Sequence, residues 1–507
     1  MKKRLASKKP KSTTRTTLSR FLDFLKIFPR NKRAMLGLVI IVFFSLLAAT
    51  STILTPYDPV LSDRLSGEYS TPFWFKYVPG LSQPYSVNFL LIDKPGFVTP
   101  SSLLQWQNNT DNPSKITYDY SSEGGNNPGS AVIEYSRIGK TESSTTTFSL
   151  SKNFTYTYTA PPKRFSGILT LEVQGVKSEM PLEITVFILN TTSFKYNLWT
   201  FKYILATNGW EPIAYIDSYW SDLKSSFKGL FNSTDPARTV FSTTGQYTYG
   251  IDLLFRDTGI EDKEQVTVRI DEFNLRLDGT TFGLLGTDYK GRDIFTQLAH
   301  GTRISLFVGL LSATLSVTIG LFLGLLAGYI GGISDELLMR FTDMLLVLPT
   351  LPLLLVLIAA LGSSIWNLII LIGFLGWMGF ARMVRSQVLT LKERSYIEAA
   401  KAVGAGKFHI ISRHIIPNVV SLVYVTLALA VPSAILTEAA LSWLGLFDPN
   451  VMSWGRMLNE AQRVPGGVQI WWWIVPPGLA IATLSLSFIL IGYALDEMLN
   501  PKLRMRR

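Results

Sequence analysis

The 507-residue chain contains no cysteine. Disulfides, thiolate nucleophiles and cysteine-ligated zinc are therefore excluded, and a domain outside a reducing compartment has to hold together by its core alone. Histidine is nearly as scarce. His300, His409 and His414 are the only three, and none lies between Pro56 and Leu284. That long segment cannot build a Ser-His-Asp triad or an ordinary zinc site, and no carboxylate pair stands out in it as a hydrolase would require. Charge is thin as well, at 17% of residues, against about a quarter in soluble proteins. The net charge of +11 is concentrated: through Arg33 there are twelve Lys or Arg and one acid, Asp23, which leaves 36 basic against 36 acidic residues beyond it. With no surplus charge outside that tail, nothing is left to track a phosphate backbone. Gly404-Ala405-Gly406-Lys407 superficially resembles a phosphate-binding loop. Its glycine spacing is wrong, Phe408 stands where Ser or Thr is needed, and no strand precedes it.

What the chain does have is apolar runs. Ala34 to Leu54 is 21 residues without a charge, long enough to cross a bilayer core. The run is long for a signal peptide and its basic leader is longer than a usual n-region, so an uncleaved span is expected, with the tail held in the cytoplasm. Five more uncharged segments follow: Ile304 to Ile330, Met344 to Leu361, Trp366 to Phe380, Val419 to Leu436 and Trp471 to Tyr493. Six spans put both termini on one side. The segment Arg382 to Asn418 and the C-terminus with Lys502, Arg504, Arg506 and Arg507 are basic, as cytoplasmic loops are, whereas the loop at Asp335 and Glu336 is not. Gly320, Gly324 and Gly328 recur every four residues, a surface for close helix packing. Pro349, Pro352, Pro432, Pro476 and Pro477 interrupt other spans, and Trp471 to Trp473 fall where an interfacial belt is expected. Glu438 sits toward the exterior end of a span, where exposure at the helix end is the expectation.

Between the first two spans the composition changes. From Pro56 to Leu284, Ser, Thr, Tyr, Asn and Gly dominate, and alternating segments recur at 115–120, 131–135, 154–158, 167–173, 182–189 and 265–271. Period-two patterning with β-branched and aromatic residues between turn signals predicts strands and a β-sandwich. After a span that begins inside, this domain is outside. Its four sequons, at Asn108, Asn153, Asn190 and Asn232, agree with that address, although a Ser/Thr-rich segment yields two or three by chance.

The most distinctive block lies in the basic loop. Glu398 to Gly404 (EAAKAVG) predicts a short helix with a low alanine face, a charge near its start and a glycine at its end. Lys407 to Ile416 predicts a second short helix, and Pro417 fits the first turn of the next span. On these residues alone a docking helix and an ordinary amphipathic loop helix fit equally well. The block, with Arg413 to Asn418 (RHIIPN), resembles the EAA loop of ABC-importer permeases, and residues 285–503 are similar to the C-type permease of dipeptide/oligopeptide transporters. The same resemblance covers Gly286-Thr-Asp288, Gly291-Arg-Asp293, Gly301-Thr-Arg-Ile-Ser305, Ala327 to Gly332, Ala381 to Ser386, Ile435 to Ser442 and Ser453-Trp-Gly455. The segment 56–284, where such permeases have a short loop, departs from it.

The resemblance implies a mainly α membrane protein with the six transmembrane helices of the type I ABC-importer permease fold. The residues divide it into a basic cytoplasmic tail (1–33), a first span (34–55), a β-rich, sandwich-like extracellular insertion (56–284), a permease core (285–495) with its cytoplasmic EAA loop (382–418), and a second basic tail (496–507). It further implies that Glu398, Ala399, Ala400, Gly404 and Pro417 couple the chain to a separate ATPase, and that no catalytic residue and no metal site belongs to this chain. ATP and Mg would be bound by two cytoplasmic ATP-binding subunits. A second homologous permease subunit and an extracellular substrate-binding protein would complete the assembly, with di- or oligopeptides as cargo. Two other readings stand beside it: the same machine importing oligosaccharides or nickel, and a membrane-anchored adhesion or receptor protein acting through 56–284.

Overall fold

The computed structural model describes residues 31–499, apart from 95, 140–142, 178–180, 258, 260–262 and 466–468. The basic tails read at 1–33 and 496–507 therefore lie outside the described residues over 1–30 and 500–507. The chain divides into two compact units: Asp63–Asp293, and the flanking Met1–Ser62 with Ile294–Arg507.

The flanking unit opens with α1 (Lys32–Leu54), whose first turn is capped by the Asn31 side chain accepting from the Arg33 amide at 3.0 Å.

The unit Asp63–Asp293 is built on two antiparallel sheets. Its strands are β1 (Phe89–Leu90), β2 (Gln107–Thr110), β3 (Ile116–Ser121), β4 (Ser130–Ile138), β5 (Ser144–Tyr156), β6 (Arg164–Gln174), β7 (Leu182–Leu189), β8 (Lys195–Tyr203), β9 (Glu211–Asp217), β10 (Gly245–Asp257) and β11 (Lys263–Asp278). One sheet runs β3-β4-β11-β6-β9, with β1 on the far end of β11; the other runs β2-β5-β10-β7-β8. The alternating residues face inward into one core, among them Ile133, Leu150, Leu171, Ile184, Tyr249 and Val268. Aromatic pairs cross between the sheets: Tyr135 on Phe255 at 5.1 Å and Tyr249 on Phe273 at 4.7 Å. All six expected alternating segments fall on strands, with only residue 115 and residues 157–158 beyond the strand ends. The sequence pattern missed the short β1 and β2 and the longer β8, β9 and β10. In β10 the inward positions Tyr247, Tyr249, Ile251, Leu253 and Phe255 alternate, and on the other face a Cβ at Gly250 would come within 2.6 Å of the Phe187 ring, so the glycine makes room for an aromatic of the neighbouring strand. Two helices, α2 (Ser221–Phe231) and α3 (Pro236–Val240), complete the unit.

The polar segment at 286–293 is more than a link. It folds back on residues 64–71: the Arg64 and Leu65 amides donate to the Lys290 and Gly291 carbonyls at 2.9 and 3.0 Å, and Thr287 Oγ1 donates to the Gly67 carbonyl at 2.6 Å. Asp288 and Arg292 pair at 2.7 Å, both fully buried. Gly291 holds φ +73° with the Ser66 carbonyl 2.3 Å from where a Cβ would be, so both its conformation and its surroundings require glycine.

The rest of the flanking unit is helical: α4 (Ile294–Ile330), α5 (Gly332–Val347), α6 (Thr350–Leu361), α7 (Ile365–Leu375), α8 (Met378–Lys392), α9 (Ser395–Ala402), α10 (Lys407–Ile410), α11 (Ile416–Trp443), α12 (Trp454–Arg463) and α13 (Trp471–Leu499). Among the described residues five helices are long and apolar enough to cross a membrane, with α7–α8 and α10–α11 each counted as one. The segment expected as a single span at 344–361 is instead broken: α5 and α6 meet at 88°. Pro349 causes it. It lacks an amide proton, and it pushes Leu348 to an extended ψ of 132°, which ends α5.

The glycine stripe packs as expected. A Cβ on Gly320 would lie 2.9 Å from the Trp377 carbonyl, one on Gly324 2.6 Å from that of Ala381, and one on Gly328 2.8 Å from Val388 Cβ, so the stripe sets the backbone of α4 against α8. The tryptophan belt does not form as expected: Trp471 is exposed, but Trp473 is fully buried.

Candidate functional site

The loop between α8 and α11 presents a small helix. α9 is anchored by Ile397, which is fully buried in a cluster with Val384, Val388, Ile410, Ile415 and Val419. Every other residue of the helix is exposed except Ala400, which is half-buried. Gly404 closes it at φ +87°. Its amide donates to the Lys401 carbonyl at 2.9 Å and the Ala405 amide to that of Ala400 at 3.0 Å, the paired bonds of a Schellman turn. No atom lies within 4 Å of a Cβ built on Gly404. The glycine therefore serves the turn, and the space beyond it is open.

Glu398, Ala399 and Gly404 thus share one exposed surface. Pro417 is elsewhere, in the first turn of α11. The stretch before it, Ile411–Ile415, winds as a π-helix and joins α10 to α11 in one continuous helix, where a separate short helix ending at Ile416 was expected. Pro417 has no amide proton and its ring crowds the carbonyl four residues back, and the wider π turn relieves that crowding. Sequence reasoning missed two residues of this surface. Val403 and Phe408 flank Gly404 with 89% and 83% of their surface exposed. Fully solvated large apolar side chains either side of a helix end are the usual mark of a contact surface; the signal was available in the apolar residues adjoining the glycine.

Beneath this surface the charges are paired. Arg385 grips Asp335 of α5 with two hydrogen bonds, the second at 2.6 Å, and Arg382 pairs with Asp343. Lys392 Nζ donates to the Tyr329 carbonyl at the end of α4 at 3.0 Å. Of the two acids that kept the 335–336 loop from looking basic, Asp335 is thus the partner of Arg385 on α8, and Glu336 pairs with Arg340 one turn on in α5.

At the far end of α11 the expectation for Glu438 is overturned. It is 2% exposed, accepts the Ser442 hydroxyl at 2.7 Å, and its Oε2 has no hydrogen-bond partner among the described residues. α12 folds back over it. Gly455 brings the α12 backbone against Ala439, where a Cβ would sit 2.7 Å from Cα, and Trp454 Nε1 donates to the Leu298 carbonyl at 3.1 Å. Arg456, itself buried, ties the loop down through the Pro449 and Val451 carbonyls at 2.8 and 2.9 Å. The short helix that covers Glu438 lies outside the runs long enough to read as spans, and only the Ser453-Trp-Gly455 motif at its start was singled out from the sequence. Among the described residues no group of three His, Asp or Glu is placed to hold a metal ion.

Residues 320–505 match the family described as the binding-protein-dependent transport system inner membrane component, and residues 19–72 match the N-terminal TM domain of oligopeptide transport permease C. Neither match extends over 73–319. A putative peptide permease protein of Brucella suis is 39% identical over 220 residues, 43% of this chain and 72% of that protein. The oligopeptide transport system permease protein of Bacillus subtilis gives the same identity and coverage. A glutathione transport system permease protein of Pectobacterium atrosepticum is 40% identical over 224 residues, 43% of this chain and 73% of its own. A solved carbohydrate-binding module in complex with β-1,4-galactotriose covers 37% of this chain and 97% of its own at 10% identity, with a TM-score of 0.22, too low to bear on the role of the sheets.

Proposed function

This chain belongs to the family of binding-protein-dependent transport system inner membrane components, and from that premise we propose that it is the permease subunit of an ATP-driven importer of di- or oligopeptides. Its cargo class is taken from the peptide permeases it is similar to. Six spans are formed when the bent α5–α6 pair crosses once, which leaves both termini and the α8–α11 loop in the cytoplasm and residues 56–284 outside. The basic residues from Arg382 to Arg413 and at the C-terminus favour that orientation.

The single observation that carries the coupling role is the exposed α9 surface, with its alanines, the Gly404 turn and the bare Val403 and Phe408 side chains. We assign its docking to two cytoplasmic ATP-binding subunits, which hold the ATP and Mg. Closure of those subunits would push on α9. Because α9 is fixed to the bundle through Ile397, and the turn after it leads into α10, which continues through the π turn and Pro417 into α11, the push would tilt α11, a rigid-body switch between outward and inward access. A second homologous permease would complete the pathway, and an extracellular substrate-binding protein would deliver the cargo.

Gly404→Leu tests this. A side chain at φ +87° costs about 1 kcal/mol or more and drives the chain to extend α9, which displaces Val403 and Phe408. In the reconstituted transporter the variant should assemble and insert while uptake per ATP hydrolysed falls at least severalfold. Normal coupling would remove α9 as the docking element.

A further inference from the structure

A cavity of about 760 Å³ lies within the helical unit, walled by the chain leaving α1 (52–60), the first turns of α4, Ile365 at the start of α7, and residues 450–452. That volume suits a small ligand. Two basic side chains of α4 line it three residues apart, His300 and Arg303, a spacing that puts them on one helix face. The two differ in their surroundings. His300 Nε2 is buried with no hydrogen-bond partner, and Arg303 makes no hydrogen bond or ion pair among the described residues. A buried imidazole nitrogen left unbonded calls for an occupant, and the exposed Arg303 guanidinium beside it is uncommitted to any protein group. Asp58 also lines the cavity, within electrostatic reach of His300, and is held in place, its Oδ1 accepting the Val60 and Leu61 amides at 2.8 and 2.7 Å.

We propose that this cavity is a binding site for a short peptide in transit, with Arg303 and His300 taking its terminal carboxylate. The inference rests on the reading of the chain as a peptide permease. A guanidinium and an imidazole are matched donors for a carboxylate, and the fixed Asp58 carboxylate supplies the opposite charge that a zwitterion needs.

The test uses the complete reconstituted transporter and two probes, trialanine and its C-terminal amide, with Arg303→Ala and Arg303→Lys compared to the unaltered chain. Arg303 is exposed, so its removal strands no buried charge and the variants should fold. The preference of the binding protein for a free carboxylate is the same in every permease and cancels in the comparison. The expected result is that the unaltered permease favours the free acid, and that Arg303→Ala reduces this preference by about tenfold or more, the scale of a charge-assisted hydrogen bond, with the loss in KM. Arg303→Lys, which keeps the charge and loses the planar fork, should fall between. An unchanged preference in Arg303→Ala overturns the site alone. An equal loss for both probes that follows the anionic-lipid content of the vesicles assigns the cavity to a headgroup and also overturns it. No uptake of either probe by the unaltered transporter overturns the peptide reading, and this inference with it.

Discussion

Gly404 and Glu438 are single residues whose roles follow from opposite surroundings. At Gly404 the space is empty and the backbone sets the requirement; at Glu438 the backbone is ordinary helix and the burial is what matters. A third case sits in the sandwich, which has no disulfide to brace it. Asp257 and Glu264 share the buried Arg137 guanidinium, with Tyr135 donating its hydroxyl to Asp257 at 2.6 Å. Burial alone would raise Asp257, but hydrogen bonds from Glu264, Arg137 and Tyr135 hold it well below the usual carboxylate range. Glu264, buried beside that charge, is raised to about 7. The signs are opposite. The fold keeps a proton on Glu264 that the unfolded chain releases above about pH 4.5, so this carboxyl lowers stability progressively as pH rises from about 4.5 to about 7. Asp257 contributes stability that is present above about pH 4 and lost below it. Glu264→Gln, which stays uncharged, should flatten the decline between pH 4.5 and 7 in the unfolding temperature of the protein; an unaltered slope would show that Glu264 is not the group responsible.

Two elements show how helix packing depends on backbone proximity. The α4 glycines were legible as a stripe because period four is a local signal, and the structure supplies only the partner, α8. Gly324→Leu should separate the pair, since even a Cβ would meet the Ala381 carbonyl at 2.6 Å. Overpacking of this kind costs about 1–3 kcal/mol and should lower the unfolding temperature of the purified protein by several degrees. Gly379→Leu, on α8 with nothing within 4 Å of its Cβ, is the control and should change little. The α5–α6 break was legible as a proline but not as an 88° bend, because the angle depends on how each half packs. Likewise the need for glycine at 250 in β10 was not legible, because the Phe187 ring it makes room for is on another strand.

For the molecule as a whole, the bent pair decides the topology. If α5–α6 crosses once, Ser364 and Val403 lie on opposite sides of the membrane; if it turns back, the sides of α7–α8 and of the coupling helix are exchanged. The chain has no cysteine, so Ser364→Cys and Val403→Cys each place a single thiol. A membrane-impermeant thiol reagent on intact cells should label the first and spare the second until the membrane is opened. Labelling of the second alone would reverse the orientation and remove α9 from the cytoplasm.

Composition and period were enough to place a membrane protein with a β-rich segment between its first two spans, to single out the Glu398–Gly404 helix with its terminal turn, and, through the absence of cysteine, to exclude thiol chemistry. These are local properties: runs, alternations and one glycine can be read along the chain. The burial of Glu438 under α12, the pairing of Asp335 with Arg385, the interlock of 64–71 with 286–293, and the cavity at His300 and Arg303 were decided only by tertiary structure. Each joins residues distant in sequence, and whether a charge is solvated, paired or left facing a cavity depends on the partner that the fold brings to it.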